Sequence, residues 1–316
     1  MKISGFSFGK NATKLYYPIA EAVKSILPIV DEFIVAVGKG DEDDRTRESI
    51  AAIGDPKIKI IDTVWEDKYF KRGIINSIQT DIAKEACKGD WLFYLQADEV
   101  IYENDLPTIR ARCEELQDKK EVEGLLFKYK HFWGDYNHFH QSHGWYPYEI
   151  RIIRNRPDIH SYQSAQSFRS FSYYDNPRQE DGTRKLKVAP VDACVYHYGW
   201  VRPPHLMQTK NRAFHSIHWG PKKAKEHYDK APTEFDYGPL DRVAKFTGTH
   251  PKVMEKMIAQ MNWKDKLQLT GKPNPYRDKN KHERFKYRFL SFIEKTFNRG
   301  KQIGTFKNYI LLKNYK

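Results

Sequence analysis

Apolar residues along the first hundred positions follow two rhythms. Ile3 to Phe8 reads as a strand, and Phe33 to Val37 (FIVAV) is a short continuous apolar run. Such a run marks a strand buried on both faces. Lys57 to Ile61 and Trp91 to Leu95 predict two more strands. Between them the apolar positions move to a helical spacing. Tyr17 to Leu27 carries Ile19, Val23, Ile26 and Leu27 on one stripe. Arg45 to Ile53 predicts a short helix, with Asp44 at its N-cap. Gly73 to Cys87 predicts a longer one, with Ile75, Ile78, Ile82 and Ala86 in register. Strand and helix alternating at this spacing imply an α/β fold, with parallel strands joined by right-handed crossovers.

Ligands of open α/β sheets sit beyond the carboxyl ends of the strands. Three polar clusters fall there: Lys10-Asn11 after the first strand, Asp41 to Asp44 after the second, and Asp98-Glu99 after the fourth. Further on, Gly124 to Tyr129, Glu149 to Ile153 and Val188 to Tyr196 read as strands. Residues 131–148 between them hold four His and seven aromatic residues. From Pro203 the chain becomes helical and Pro-punctuated. Residues 281–316 carry ten Lys or Arg against two Glu, interleaved with Phe285, Phe289, Phe292, Phe297 and Phe306. The expected division is one α/β domain over residues 1–200 in two parts, 1–100 and 101–200. A helical, basic region follows over 201–316.

Composition narrows the partners. The 316 residues carry a net charge of +13, which favours an anionic partner without choosing among them. Three widely spaced cysteines form no CxxC pair, so no thiolate zinc site or disulfide framework is indicated, and a reducing cytosol is expected. No apolar stretch approaches the roughly 20 residues of a membrane helix. The amino terminus lacks a signal-peptide pattern, so a cytoplasmic protein is expected, at most peripheral on the inner face of the membrane. Aromatics make up 14%, above what a plain core needs, and sugar-binding clefts and membrane interfaces both use such rings.

Two adjacent carboxylates at a buried strand end repel unless a cation, an arginine or a proton intervenes. Asp98 is therefore a candidate ligand for a hard divalent ion, Mn²⁺ or Mg²⁺. His197, just after a later strand, is a candidate further ligand. Gly199 and Trp200 beside it allow a backbone or a ring to approach a sugar or diphosphate. Lys10, Lys71 and Arg72 are candidate phosphate contacts. Glu149, Arg151 and Ile153 fall on one strand face by alternation, the charged pair reading as a site wall.

Several runs together resemble the family 2 glycosyltransferases of the GT-A fold. They are Asn11, IVDE (29–32), GDEDDRT, KGDWLFYLQADE (88–99), YEIRIIRN (148–155) and VYHYGW (195–200). The resemblance covers about residues 1–200, and the KGDW-to-ADE run is its most specific segment. Gln96 stands where the family carries a first acid, which leaves Asp98 as the carboxylate ligand. The resemblance implies a GT-A-like (Rossmann-like) mixed sheet, mostly parallel, and a catalytic domain over residues 1–200, donor-binding over 1–100 and acceptor-binding over 101–200. It implies inverting transfer from a nucleoside-diphosphate sugar, as in cell-envelope polysaccharide synthesis, to an acceptor that is lipid-linked or a polysaccharide. Donor base and ribose are expected near Phe8, Asn11 and Asp44, and the diphosphate near Arg72, Trp200 and a metal at Asp98 and His197. Inversion needs a base for the acceptor hydroxyl; Glu149 is the first candidate and Asp192 the second. Residues 131–148 are expected to shape the acceptor pocket, and the basic-aromatic terminus to contact an anionic membrane. Two other classes stay open: a catalytically inactive sugar-binding relative, which Gln96 permits, and a nucleic-acid-binding protein. Neither an RNP signature nor a zinc-finger spacing is present, so nucleic acid is not an expected partner.

Overall fold

The computed structural model describes residues 1–315. Its strands are β1 (Ile3–Gly9), β2 (Glu32–Gly38), β3 (Ile58–Thr63), β4 (Trp91–Tyr94), β5 (Glu99–Ile101), β6 (Gly124–Phe132), β7 (His138–His140), β8 (Tyr148–Arg154), β9 (Ile159–Tyr162), β10 (Ser167–Phe171), β11 (Thr183–His197), β12 (Ala244–Lys245) and β13 (Tyr309–Leu311). The helices are α1 (Ile19–Ile26), α2 (Thr46–Ala51), α3 (Ile74–Glu85), α4 (Leu106–Glu115), α5 (Pro204–Trp219), α6 (Pro221–Tyr228), α7 (Glu255–Ala259) and α8 (Phe285–Phe297). The strands form one curled sheet in the order β3-β2-β1-β4-β8-β6-β11-β10-β9. β3, β2, β1 and β4 are mutually parallel. β8 runs antiparallel between β4 and β6, and β6 is parallel to β11. This is the expected α/β fold with a mixed, mostly parallel main sheet.

Each element forms where the apolar pattern asks for it. β2 is buried at all seven positions because β1 and β3 flank it and helices cover both faces. β3, at the sheet edge, is only half-buried. α1 buries Ile19, Ala22, Val23 and Ile26 in the core on one side of the sheet. α3 departs from its apolar stripe. Ile78 and Ile82 are half-buried, whereas Ser77, Gln79 and Asp81 are buried. The β9–β10 hairpin lies over this helix and satisfies two of them, Ser161 N–H donating to Asp81 and Ser77 Oγ to the Gln163 carbonyl, while Gln79 accepts from the Thr63 hydroxyl of β3.

A third core lies beyond the ends of the strands. It joins Phe132, Trp133, Tyr136 and Tyr198 to Met207, Leu240, Met254 and Trp263. Trp133 Nε1 donates to the Tyr237 carbonyl and Trp263 Nε1 to the Gly134 carbonyl. Much of the aromatic 131–148 segment is therefore core, and region 201–316 is built onto it. Two short strands tie that region to the sheet: β12 pairs with β7 and β13 with β11. The three cysteines are buried and free.

The turn from β4 to β5 carries Asp98 and is braced from below. Glu99 is fully buried and paired with the equally buried Arg151, whose Nε lies 2.6 Å from Glu99 Oε2. Glu99 also accepts from Gln96 N–H and from the Tyr129 hydroxyl. Arg151 is thus a core cation beneath the turn rather than a wall of a site. The expected alternation along β8 fails for a local reason. The register with β6 shifts between Leu125 and Leu126, so Ile150 and Ile153 enter the same core cluster and Arg151 falls in the irregular stretch between them.

Removing one partner of a buried ion pair leaves the other charged and desolvated. Arg151→Met is expected to destabilise the protein by roughly 3–5 kcal/mol. Urea unfolding measures this, and a loss below about 1 kcal/mol contradicts the assigned bracing role.

Candidate active site

The carboxyl ends of β1, β4, β6 and β11 open into one cleft of about 2100 Å³. Phe8 and Asn11 come from the end of β1, Gln96 and Asp98 from the turn after β4, His131 from β6, and His197 and Trp200 from the end of β11. α5, α6 and residues 274–281 form the opposite wall.

Asp98 and His197 are brought together by backbone pairing. His197 stands opposite Glu99 in the β11–β5 ladder, and Tyr198 N–H donates to the Asp98 carbonyl at 2.8 Å. His197 Nε2 then lies 3.4 Å from Asp98 Oδ2. His131, paired with His197 across β6 and β11, fixes the imidazole. Its Nε2 is 3.0 Å from the Tyr146 carbonyl, so that nitrogen carries the proton. Burial, and then the neighbouring His197, pushes the His131 pKa well below the usual range, so the ring is neutral and its Nδ1 is a lone pair. His197 Nδ1, 3.2 Å away, must therefore donate to it. That leaves His197 Nε2 to face the Asp98 carboxylate. A proton or a cation must lie between these two groups; without a cation, Nε2 carries the proton and donates to Asp98.

Gly199 keeps that space open. A Cβ on Gly199 would lie 2.5 Å from both Asp98 Oδ2 and His197 Nε2. One carboxylate oxygen and one imidazole nitrogen are a suitable donor pair for Mg²⁺ or Mn²⁺, which take the rest of their shell from water and phosphate. Neighbouring donors of an octahedral ion at about 2.1 Å lie about 3 Å apart, close to the spacing here. Among the described residues no group of three His, Cys, Asp or Glu side chains is arranged for a metal. A cation here thus depends on a ligand for its remaining partners.

The electrostatics match. Burial alone would push the Asp98 carboxyl up, but His197, Lys210 and Arg202 outweigh it and hold the pKa at about 2. Lys210, on α5, lies in the cleft with Nζ 4.5 Å from the Trp200 ring centroid. Burial, then Arg202, lowers its pKa to about 7, against the pull of Asp98. Arg202 is fully buried and clamps the site, donating to the carbonyls of Leu15 and Gly199.

The other expected residues divide. Phe8 and Asn11 line the cleft, with Trp65 6.0 Å from Phe8 ring to ring. Asn11 adopts a left-handed conformation, φ 54°, and its Oδ1 accepts from Asp41 N–H. Asp41, not Asp44, is the cleft residue of that acidic loop. Asp44 is buried and accepts from the Thr13 and Thr46 hydroxyls, so it organises the loop; the residue preceding α2 is Arg45. Arg72 is exposed outside the cleft, its N–H bonded to the His218 carbonyl at the end of α5. Asp192 is also outside, its side chain 83% exposed and paired with Lys128, so it cannot serve as the base. Glu149 is buried and not among the lining residues; Gln166 lines the cleft, with Nε2 3.5 Å from Glu149 Oε2. Burial raises the Glu149 pKa, against the pull of Arg151. Gln96 is held by donating to the Ala165 carbonyl.

Sequence reasoning missed Lys210 and Trp65. Lys210 carried a signal, since it lies three residues after Met207 on the buried side of α5, and a lysine on a buried stripe is unusual.

No protein-family model matches the chain, and no curated protein matches it. Solved structures do. S. aureus TarS is 15% identical with a TM-score of 0.39, the match covering 67% of this chain and 39% of that one. Glucosyl-3-phosphoglycerate synthase from Mycobacterium tuberculosis, in complex with Mn²⁺, UDP and phosphoglyceric acid, is 18% identical with a TM-score of 0.27, covering 40% and 42%. The mannosyltransferase PcManGT from Pyrobaculum calidifontis, in complex with GDP-Man and Mn²⁺, is 16% identical with a TM-score of 0.30, covering 39% and 34%. The chain spans about two fifths of the length of the first two.

Two variants test the geometry. Gly199→Ala fills the gap between Asp98 and His197 and is expected to weaken Mn²⁺ binding by at least about tenfold while the protein stays folded. Unchanged Mn²⁺ affinity by calorimetry contradicts the site. Lys210→Met removes a desolvated cation and is expected to weaken nucleoside-diphosphate binding by about 10- to 100-fold. An unchanged Kd means that Lys210 faces no anion.

Proposed function

We propose that the protein is a glycosyltransferase of the family 2, GT-A type, using a nucleoside-diphosphate sugar with Mn²⁺ or Mg²⁺ and inverting the transferred centre. One observation carries this reading: Asp98 and His197 converge across the Gly199 gap at the ends of parallel strands, in a cleft walled by rings and a buried lysine. Asp98 and His197 are the residues that would hold the cation. When bound, a divalent ion there stabilises negative charge on the diphosphate as the sugar bond breaks.

The chain's own groups supply the rest. Lys210 places a second positive charge on the same side as Asp98 and, being desolvated, acts strongly on an anion. Phe8 and Trp65 make an apolar slot for a nucleobase, with Lys10 Nζ 5.8 Å from the Trp65 ring centroid. Asp41 offers a carboxylate to a ribose hydroxyl. Trp145, Tyr146 and Trp200 give the sugar and acceptor an aromatic wall that excludes water. Glu149 is the candidate base for the acceptor hydroxyl, reached from the cleft past Gln166, whose Nε2 is 3.5 Å from its Oε2.

A thermal-shift screen over nucleoside diphosphates, with and without Mn²⁺, tests the reading. One base is expected to stand out, and only with metal; at 100 times Kd the ligand adds about 2.7 kcal/mol to stability. Asp98→Ala should keep the fold and lose both this response and turnover. A wild-type protein indifferent to every nucleotide with metal overturns the proposal.

A further inference from the structure

The carboxy-terminal helix turns the usual amphipathic arrangement inside out. In α8, Phe285, Phe289 and Phe292 follow one another at i, i+4 and i+7, so they share one face. That face points to solvent: the three side chains are 80%, 52% and 60% exposed. The inward side of the helix carries the half-buried Tyr287, Leu290 and Ile293 together with polar groups. Glu294 is buried and bonded to His143 Nδ1 at 2.7 Å and to Ile303 N–H at 2.8 Å, and Ser291 Oγ accepts from His143 N–H. A soluble helix normally buries its apolar stripe. Phe297, the last residue of the helix, and Phe306 beyond it are exposed as well.

Charge says what covers this face. Lys286, Arg288 and Lys295 flank the rings, are exposed, and have no ion-pair partner among the described residues. The two acidic residues of 281–315, Glu283 and Glu294, are both buried, Glu283 against Arg277. Every outward charge of the helix is therefore positive. Rings central and cations flanking suit an interface where the rings enter the acyl boundary and the cations meet anionic headgroups. No helix of the described residues is long and apolar enough to cross a membrane, so contact through α8 is parallel to the surface.

We infer that α8 docks this protein on an anionic bilayer. The helix is coupled to the cleft. It rests on the segment 142–146 that forms one cleft wall: Lys281 Nζ, just before it, donates to the Gly144 carbonyl, and Gln302 Nε2, just after it, donates to the Trp145 carbonyl. Docking thus sets that wall one helix diameter, roughly 10 Å, from the membrane surface. Resting on the glycosyltransferase reading, this assigns the acceptor to hydroxyl-bearing amphiphiles presented from a bilayer.

Co-flotation of the full chain with vesicles tests the inference. The protein is expected to float with phosphatidylcholine–phosphatidylglycerol vesicles, weakly with phosphatidylcholine alone, and less as salt rises. Phe285→Ser/Phe289→Ser/Phe292→Ser and Lys286→Gln/Arg288→Gln/Lys295→Gln should each lower partitioning by about tenfold or more. These side chains are exposed, so both variants should still bind UDP with Mn²⁺ as the wild type does. Failure to bind anionic vesicles, or binding unchanged in both variants, overturns the docking role. So does tight single-stranded oligonucleotide binding that the Phe variant loses and vesicles do not compete. Loss of UDP binding in the wild type with vesicle binding intact strikes only the donor reading.

Discussion

A carboxylate oxygen and an imidazole nitrogen face each other 3.4 Å apart with no Cβ between them. Such a pair needs a proton or a cation between its members, and the fold devotes several devices to holding them there. The Glu99–Arg151 pair braces the turn that carries Asp98. The β5–β11 ladder ties that turn to His197. His131, neutral through burial, selects which nitrogen of His197 is presented. Each of these groups sits in the core beneath the cleft, where rotamers are locked by packing, so the spacing is preorganised.

The same constraint explains the charge around the site. Asp98 faces two cations, Lys210 and the fully buried Arg202, and of these Lys210 is held near the point of losing its charge. A diphosphate arriving with a divalent cation meets that positive excess with its own negative charge while the cation faces Asp98. The cation without the anion finds only two protein donors, and the anion without the cation faces Asp98. Mutual dependence of the two ligands follows from the electrostatics.

Much of the first hundred residues was legible, because the alternation of strand and helix there follows directly from burial on a doubly covered sheet. The positions of Asp98 and His197 at strand ends followed from the same pattern. What was not legible depended on tertiary cover. α3 buries Ser77 and Asp81 because a hairpin from 159–171 lies over it, which the helix's own periodicity does not encode. Arg151 and Glu149 were misjudged because the register shift against β6 breaks alternation where it was being counted. Asp192 fell on a strand of the right kind but on its outer surface. Lys210 and the α5–α6 wall come from a region whose helices carry no motif and whose place over the cleft is decided by the third, aromatic core.

Crystals grown with a nucleoside diphosphate and Mn²⁺ give the most direct test, read at the manganese absorption edge. The account predicts an anomalous peak in the Gly199 gap, within coordination distance of both Asp98 Oδ2 and His197 Nε2 and of the diphosphate oxygens. Manganese bound elsewhere in the cleft, or a diphosphate bound away from residue 98 with no metal beside it, contradicts it.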